Sequence, residues 1–403
     1  ERAVSKVTFT SDFSGVIDAG QGAAGNANYV GDSVTIVSWD LDITNRAFYP
    51  VRKTNADLWN TITTNGGRFY GTAAVDDEAD AKLYRTYWGE DPNYNAYVGS
   101  AFNVAPSVTG DEFVGLDAGA VRYCLENTFD IANQNRNQTT RLLFKAVYVP
   151  KNFVRGGNFY TLNSGTELYY ENETAHIAGC NWWADEADKP LTNVTPAENT
   201  IDNIVLQEML SNDAFADAYG LFDKSQVTKQ FYNFTAGAND LSKAEIVYTT
   251  YSYKASDDAE AKFIKKDEYD AYVAAGDAKA TKKEDNKLDA AALATLSQAI
   301  GTINCYQSGL SYYDAYIRHF NDTEIGKLPD DFENDYGTDN ASYLGRYGLL
   351  RNNWYQLNVR SISGPGESDV PERPSITDDQ KKSYVAMTVN VLSWALRQQN
   401  VDL

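Results

Sequence analysis

The feature that most constrains the fold of this chain is a period-two pattern near its C-terminal end. Apolar side chains occupy every second position there: Val385, Met387, Val389 and Val391. Because successive side chains of a β-strand point to opposite faces of a sheet, this alternation predicts a strand with one buried face. After Leu392 the apolar positions change register to Trp394 and Leu396, as a β-bulge or a bend would produce.

A stretch rich in Gly, Pro and charged residues, 364–382, precedes this strand. Such a composition is typical of linkers, so we expect a flexible tether that carries the segment 383–403. A terminal strand of this kind can pair with its own sheet or complete the sheet of a neighbouring molecule. The segment is therefore a candidate donor strand, with six inward side chains: Val385, Met387, Val389, Val391, Trp394 and Leu396.

The composition limits the class of protein. The chain has 403 residues, 43% of them hydrophobic, which is enough to build a core. Its formal net charge of −21 argues against a nucleic-acid partner, because phosphate binding needs clustered Lys and Arg. The 28 Tyr and 7 Trp favour strands, and the presence of only 2 His argues against a His-based enzyme.

Several other stretches predict strands. Trp39 and Leu41 alternate with Asp40 and Asp42, which predicts a half-buried strand with its aspartates on the polar side. Residues 139–149 are nearly continuously apolar, which predicts a central strand. Shorter alternating patterns at 4–10, 312–320 and 354–362 predict further strands, and long irregular loops separate them.

The range 193–303 differs from the rest of the chain. Apolar residues at helical spacing occur at 201–215, 262–274 and 288–300. We therefore expect a mostly helical insertion at 193–303, although Tyr248–Tyr253 has the composition of a strand. No internal repeat of fixed period is present.

Metal and catalytic motifs are weak. The acidic loop 331–337 and the run 185–188 offer oxygen ligands, but neither follows the EF-hand order, so solvated acidic loops are expected. His176 lies near Cys180 in the sequence and His319 near Cys305, but no C-x-x-C pair exists. A structural role is expected for His319, in a Tyr-rich strand, while a Cys–His nucleophile pair stays open as the alternative. No metal or cofactor is expected.

The chain contains three cysteines, Cys124, Cys180 and Cys305, which cannot all pair with one another. Buried free thiols are the favoured interpretation, and a single disulfide remains open. No signal peptide opens the sequence and no apolar run is long enough to span a membrane. The sequence is therefore interpreted as a mature or trimmed form of a longer product.

Aromatic pairs provide an alternative function. Trp182 and Trp183 lie in a predicted loop, and exposed aromatic rings can stack on sugars. Packing within the fold is the simpler role for such pairs, including Tyr169–Tyr170 and Tyr312–Tyr313. A carbohydrate-binding surface protein is thus one alternative, and a secreted hydrolase with two convergent carboxylates is another.

Several short stretches resemble one family in a consistent order. Val-Asn-Val-Leu-Ser-Trp at 389–394, followed by Asn-Val-Asp-Leu, resembles the closing signature of Bacteroidales fimbrillins, the stalk subunits of type V pili. Residues 349–359 resemble the Val-Arg-Asn-Asn-x-Tyr strand of that family. Further similar stretches, also like those of the major subunit of minor fimbriae, lie at 312–319, 124–128, 139–150 and 1–7.

The resemblance implies a mainly β fold, a Greek-key, transthyretin-like β-sandwich with long loops and the helical insertion. It implies a structural subunit of a cell-surface fimbria that polymerises by donor-strand exchange and supports adhesion, and not an enzyme. The expected partners are other copies, accessory pilus subunits and host or bacterial surface ligands. By this resemblance, fimbrillins are exported as lipoproteins to the outer membrane, where a trypsin-like protease removes an N-terminal strand.

The resemblance also bears on how the chain is divided. Residues 1–403 correspond to the C-terminal β-sandwich domain of a fimbrillin, because Glu1–Val4 resembles the start of that domain. The N-terminal domain, with its acceptor groove and cleavage site, is expected to be absent from this sequence. Arg2 is a candidate protease site, although a basic residue at the start of a strand needs no such role.

Overall fold

The computed structural model describes residues 3–18, 29–54, 88–96, 102–104, 114–115, 120–151, 153, 155–163, 168–169, 200–320, 340–378 and 385–393. This part of the chain is mainly β-structure, arranged in several sheets. It divides into two compact units. Unit 1 comprises Glu1–Tyr148 and Ser311–Leu403, and unit 2 comprises Val149–Leu310.

The strands and helices of the described residues are numbered in chain order. The strands are β1 (Val4–Ser11), β2 (Ser33–Asp42), β3 (Thr44–Asn45), β4 (Phe102–Asn103), β5 (Val114–Gly115), β6 (Val121–Leu125), β7 (Arg141–Val149), β8 (Phe159–Leu162), β9 (Val227–Phe231), β10 (Gly237–Asn239), β11 (Glu245–Tyr253), β12 (Lys262–Phe263), β13 (Ala280–Lys287), β14 (Ile303–Tyr306), β15 (Leu310–Tyr316), β16 (Asn353–Ile362) and β17 (Val385–Ser393). The α-helices are α1 (Ile201–Ser211), α2 (Asp213–Tyr219), α3 (Lys266–Ala274) and α4 (Ala290–Ile300).

Unit 1 contains two four-stranded sheets. The first sheet has the order β17-β16-β1-β6, and the second has the order β15-β7-β2-β5. In the first sheet β1 is parallel to β16, whereas β17 is antiparallel to β16 and β6 is antiparallel to β1. The predicted central position of the strand at 139–149 is confirmed, since β7 lies between β15 and β2.

Aromatic side chains join the two sheets of unit 1. The Phe9 ring in the first sheet lies 5.5 Å from the Trp39 ring and 5.7 Å from the Phe144 ring, both in the second sheet. Phe144 in turn stacks on Tyr313 at 5.0 Å. The apolar faces of the two sheets therefore pack against each other, while the Greek-key and transthyretin-like arrangement stays a prediction.

Unit 2 combines helices with two sheets. One has three strands in the order β10-β14-β8, and the other has four, in the order β12-β11-β13 with β9 also paired to β11. Its core cluster includes apolar residues of α1, α4, β11 and β14. The helical spacing predicted at 201–215 and 288–300 is confirmed by α1, α2 and α4. The helix predicted at 262–274 is confirmed only from Lys266 onward, as α3, because Lys262–Phe263 form β12. Side chains cap three of these helices: Thr200, Asn212 and Asp289 each accept a backbone N–H bond from the first turn.

Strands alternate with the helices in unit 2. The strand expected at Tyr248–Tyr253 falls within β11, and β13 (Ala280–Lys287) pairs alongside it. No pattern predicts β13, because its charged and largely exposed side chains show no apolar alternation. The bounds 193–303 of the expected insertion remain a prediction beside the observed unit Val149–Leu310.

Candidate functional site

The C-terminal strand β17 lies at one edge of the first sheet and pairs antiparallel with β16 along its length. Three of its residues lie directly opposite buried residues of β16: Met387 opposite Val359, Val389 opposite Leu357, and Val391 opposite Tyr355. Directly opposed residues of paired strands lie on the same face of the sheet. This row of β17 therefore belongs to the inward, apolar face.

The inward row of β17 is less buried than its partners. Val359 and Tyr355 are fully buried, whereas Met387, Val389 and Val391 are half-buried. The reason is position, because within the described ranges no strand pairs with the second edge of β17. An edge strand presents unpaired N–H and C=O groups as well as partly exposed apolar side chains, and this is the surface that strand addition uses.

The remaining predicted donor residues are placed only in part. Val385 is the first residue of β17 and lies opposite Ile362, beyond a register irregularity between Val359 and Ser361. Trp394 and Leu396 lie outside the described residues, as do the candidate ligand residues Trp182 and Trp183.

A buried tyrosine fixes the inward face of β16. The Tyr355 hydroxyl accepts a hydrogen bond from the Leu350 N–H at 2.9 Å and lies 2.8 Å from His319 Nδ1. Desolvation, with a smaller contribution from the charge of Arg52, lowers the pKa of His319 to about 3. His319 is therefore neutral at physiological pH and positions Tyr355, in agreement with the structural role expected for it.

The chain between β16 and β17 is held against the second sheet. We call residues 363–378 the crossover segment. Beside β15, Tyr312 and Glu367 exchange two backbone hydrogen bonds of 2.9 and 2.8 Å, and the Gly366 N–H donates to Ser311 Oγ at 2.9 Å. A β-carbon on Gly366 would lie 2.1 Å from the Tyr312 carbonyl oxygen, so only glycine fits this close approach.

A buried arginine binds the middle of the crossover segment. Arg141 Nε donates to Asp42 at 2.9 Å, and one of its terminal nitrogens donates to Asp314 at 2.6 Å. The same guanidinium donates to the backbone carbonyl oxygens of Pro371 and Glu372. One side chain thus joins the second sheet to the crossover segment through both ion pairs and backbone contacts.

A second arginine completes this cluster. Arg373 Nε lies 3.1 and 2.9 Å from the two carboxylate oxygens of Asp42. We call Asp42, Arg141, Asp314 and Arg373 the arginine clamp. Asp42 is 0% exposed and Arg141 is 1% exposed, so the two charges compensate each other inside the protein.

The alternation of β2 places Asp42 on the polar side of a half-buried strand, where a carboxylate is expected to face solvent. The structure buries it, because the cations of Arg141 and Arg373 replace its hydration. Nothing in the alternation of β2 distinguishes Asp42 from Asp40. A charged residue directly before the apolar run of β7, as Arg141 is, was the one available signal of a buried partner.

The end of the crossover segment is bound to the loop before β7. The Arg136 N–H donates to the Ile376 carbonyl at 2.8 Å, and the Asp378 N–H donates to the Gln134 carbonyl at 2.9 Å. Thr139 Oγ1 also donates to the Asp378 carboxylate at 3.2 Å. The composition of this stretch predicted a flexible tether, whereas its described residues are held at both ends and in the middle.

The candidate metal and thiol residues are placed as follows. The acidic stretches 331–337 and 185–188, with His176 and Cys180, lie outside the described residues. Within the described ranges, no group of three or more His, Cys, Asp or Glu side chains is arranged to hold a metal ion. Cys305 is buried, and Cys124 is a buried free thiol whose pKa desolvation raises to about 12. Of the helices in the described ranges, none has the length and apolar character needed to cross a membrane.

Comparison with known families connects these elements to fimbriae. Residues 304–400 match the family described as the major fimbrial subunit protein type IV, fimbrillin, C-terminal. The match covers less than half of the chain and includes β15, β16, the crossover segment and β17. Comparison with curated proteins finds no match. The C-terminal part of this chain is thus similar to a family of fimbrial structural subunits, which is not an enzyme family.

Proposed function

We propose that this chain is a structural subunit of a cell-surface fimbria and that β17 joins one copy to the next by strand exchange. The observation that carries this proposal is the position of β17. It is an edge strand with a half-buried apolar row, and it lies inside the region that matches the fimbrillin family. Cell-surface location, a lipoprotein precursor, outer-membrane attachment and accessory or host partners belong to the same proposal and rest on the family resemblance.

The energetics favour a second site for β17. Complete burial of a Val or Met side chain contributes roughly 1.5–3 kcal/mol, and half-burial contributes correspondingly less. In its own sheet β17 leaves Met387, Val389 and Val391 half-buried. An acceptor that covers both edges of the strand would bury these residues further and would pair its second row of backbone groups. Contacts of this head-to-tail kind do not close on themselves, so they produce filaments.

Two variants test the proposal. The first is a deletion of residues 383–403, with polymer length measured by electron microscopy and folding by circular dichroism. The second is the pair Gln356→Cys and Asn390→Cys, two positions that lie opposite each other in β16 and β17. Opposed positions of paired strands have Cα atoms roughly 4.5–5.5 Å apart, which suits a disulfide.

The disulfide variant provides its own control, because reduction restores the free strand without a change of sequence. We expect the oxidised protein to remain monomeric and the reduced protein to form polymer. Polymer of unchanged length after oxidation, or after deletion of 383–403, would refute strand exchange through β17. A Cys180→Ser background keeps the third native thiol out of the reaction.

A further inference from the structure

The crossover segment and β17 are held in very different ways, although they are consecutive in the chain. The crossover segment has buried residues along its length, among them Ser368 at 6% and Asp378 at 1% exposure. It makes polar contacts with β15, with the arginine clamp and with the loop before β7. By contrast, among the described residues β17 pairs with β16 only, and Met387, Val389 and Val391 are half-buried.

Release of the crossover segment would disrupt a buried charge cluster. Arg141 would lose two backbone carbonyl partners, and Asp42 would lose Arg373 as an ion-pair partner. Both Arg141 and Asp42 lie in the interior, where an incompletely compensated charge is strongly unfavourable. Release of β17 alone exposes apolar side chains and backbone groups on β17 and on β16. A strand or sheet of a neighbouring subunit can cover these groups again.

We infer that the crossover segment stays bound to its own chain when β17 is exchanged, so that Asp378 is the fixed point from which the donor strand is presented. This inference rests on the proposed strand exchange. The arginine clamp then acts as the anchor of the donor, and only the chain after Asp378 changes partner. Within the C-terminal region, the contacts of the crossover segment are then permanent and intramolecular, whereas the pairing of β17 with β16 is exchangeable.

The anchor limits where the partner lies. Each residue of an extended chain spans at most about 3.6 Å, so the step from Asp378 to Val385 covers no more than roughly 25 Å. The acceptor edge of the next subunit, a second copy of the protein, must therefore pass within that distance of Asp378 in the donor. Such a limit requires closely packed subunits, and it excludes a polymer in which donors reach across a gap on a long tether.

A second engineered disulfide tests the anchor. Asn135 and Thr377 form an isolated antiparallel bridge, flanked by the hydrogen bonds Arg136 N–H to Ile376 O and Asp378 N–H to Gln134 O. This hydrogen-bond pattern makes them a non-hydrogen-bonded pair, in which the Cα atoms are typically about 4.5 Å apart. The variant Asn135→Cys/Thr377→Cys therefore fastens the end of the crossover segment to its own chain.

The two disulfides give separable outcomes in the Cys180→Ser background. With the 135–377 disulfide oxidised, we expect polymer of the same length and at the same rate as in the reduced protein. Loss of polymer on oxidation at 135–377 would overturn the inference, because the crossover segment would then have to leave its own chain. If 356–390 oxidation also stops polymerisation in that case, strand exchange still stands, so failure of the anchor is distinguished from failure of the proposed function.

Discussion

Val391 in β17 lies directly opposite Tyr355 in β16, yet the two are buried to different extents: Tyr355 is fully buried and Val391 is half-buried. The tyrosine is also held through its hydroxyl by Leu350 and His319. Within the described ranges, the pair thus joins an inner strand with two neighbours to an outer strand with one. This asymmetry within a single cross-strand pair favours β17, rather than β16, as the strand for the proposed exchange.

A charge placed on the inward row of β17 is expected to weaken its pairing. Val391→Asp puts a carboxylate against the buried side of Tyr355, which should cost roughly 1–3 kcal/mol of pairing free energy and abolish polymer. Leu392→Asp is the matched control, since Leu392 is 41% exposed and opposes Trp354 on the other face. The control should change stability by less than about 0.5 kcal/mol. Equal effects of the two substitutions on polymer length would contradict the assignment of faces.

The arginine clamp is expected to contribute to stability mainly through Arg141. Arg141→Met leaves the buried Asp42 with Arg373 as its cation and removes the donors to two carbonyl groups, so we expect a loss of about 3–5 kcal/mol in urea unfolding. The side chain of Arg373 is 28% exposed, and Arg373→Met leaves Asp42 paired with Arg141. A loss of about 1 kcal/mol is expected there. A larger loss of stability for Arg373→Met than for Arg141→Met would show that Arg141 is not the main stabilising residue of the clamp.

His319 is expected to make the stability of unit 1 depend on pH. Its pKa in the folded protein is lowered to about 3, whereas an unfolded histidine titrates near 6.5. The contribution of the neutral ring is therefore complete above about pH 6.5 and is lost as the pH falls towards 3, because the unfolded chain takes up the proton first. Each unit by which the pKa is lowered corresponds to about 1.4 kcal/mol in the free energy of unfolding. Because His319 is partly exposed, its total contribution is reduced to the order of 3 kcal/mol.

The measurement for His319 is the free energy of urea unfolding between pH 7.5 and 4, compared with His319→Asn. Asparagine retains a polar group near the Tyr355 hydroxyl but does not titrate in this range. We expect the stability of the native protein to fall more steeply than that of the variant. Parallel pH profiles would show that His319 has an ordinary pKa in the fold.

Gly366 is expected to tolerate no side chain. In Gly366→Ala the new methyl group would meet the backbone carbonyl of Tyr312, which no side-chain rotation can relieve, so a loss of at least about 2 kcal/mol is expected. Gly15→Ala is a control in the same unit, because its β-carbon would have no atom closer than 3.8 Å and would meet only the strain of a positive φ. That strain costs about 1 kcal/mol. Thermal unfolding monitored by circular dichroism compares the two.

Local sequence patterns predicted which segments form strands better than they predicted which strands pair with each other. Alternation identified β2, β16 and β17, and a continuous apolar run identified β7, because the hydrophobic period follows strand geometry directly. The inward row of β17 faces the same way as the alternation requires, but only the register with β16 shows that it lies at an edge. The order of strands in a sheet depends on contacts between distant parts of the chain. The hydrophobic period of a single strand carries no information about these contacts.

The crossover segment also shows that local composition does not predict long-range contacts. Gly364, Pro365 and Gly366 have the composition of a linker, yet their local conformation fits them closely against β15. The burial of Asp42 depends on Arg141, 99 residues further along the chain. The position of Arg141 before an apolar run indicates a buried partner but does not identify Asp42 or the crossover segment, so the anchor of the candidate donor strand could not be predicted.

The parallel pairing of β1 with β16 has a consequence for the order of folding. Lys6 in β1 lies opposite Trp354 in β16. β1 therefore cannot pair on this edge until β16, more than 300 residues later in the sequence, has been synthesised. Contacts so distant in sequence close large loops and are slow to form. Unit 2, which is continuous from Val149 to Leu310, has no such delay, so nascent chains should acquire its helices and sheets well before the first sheet of unit 1 assembles.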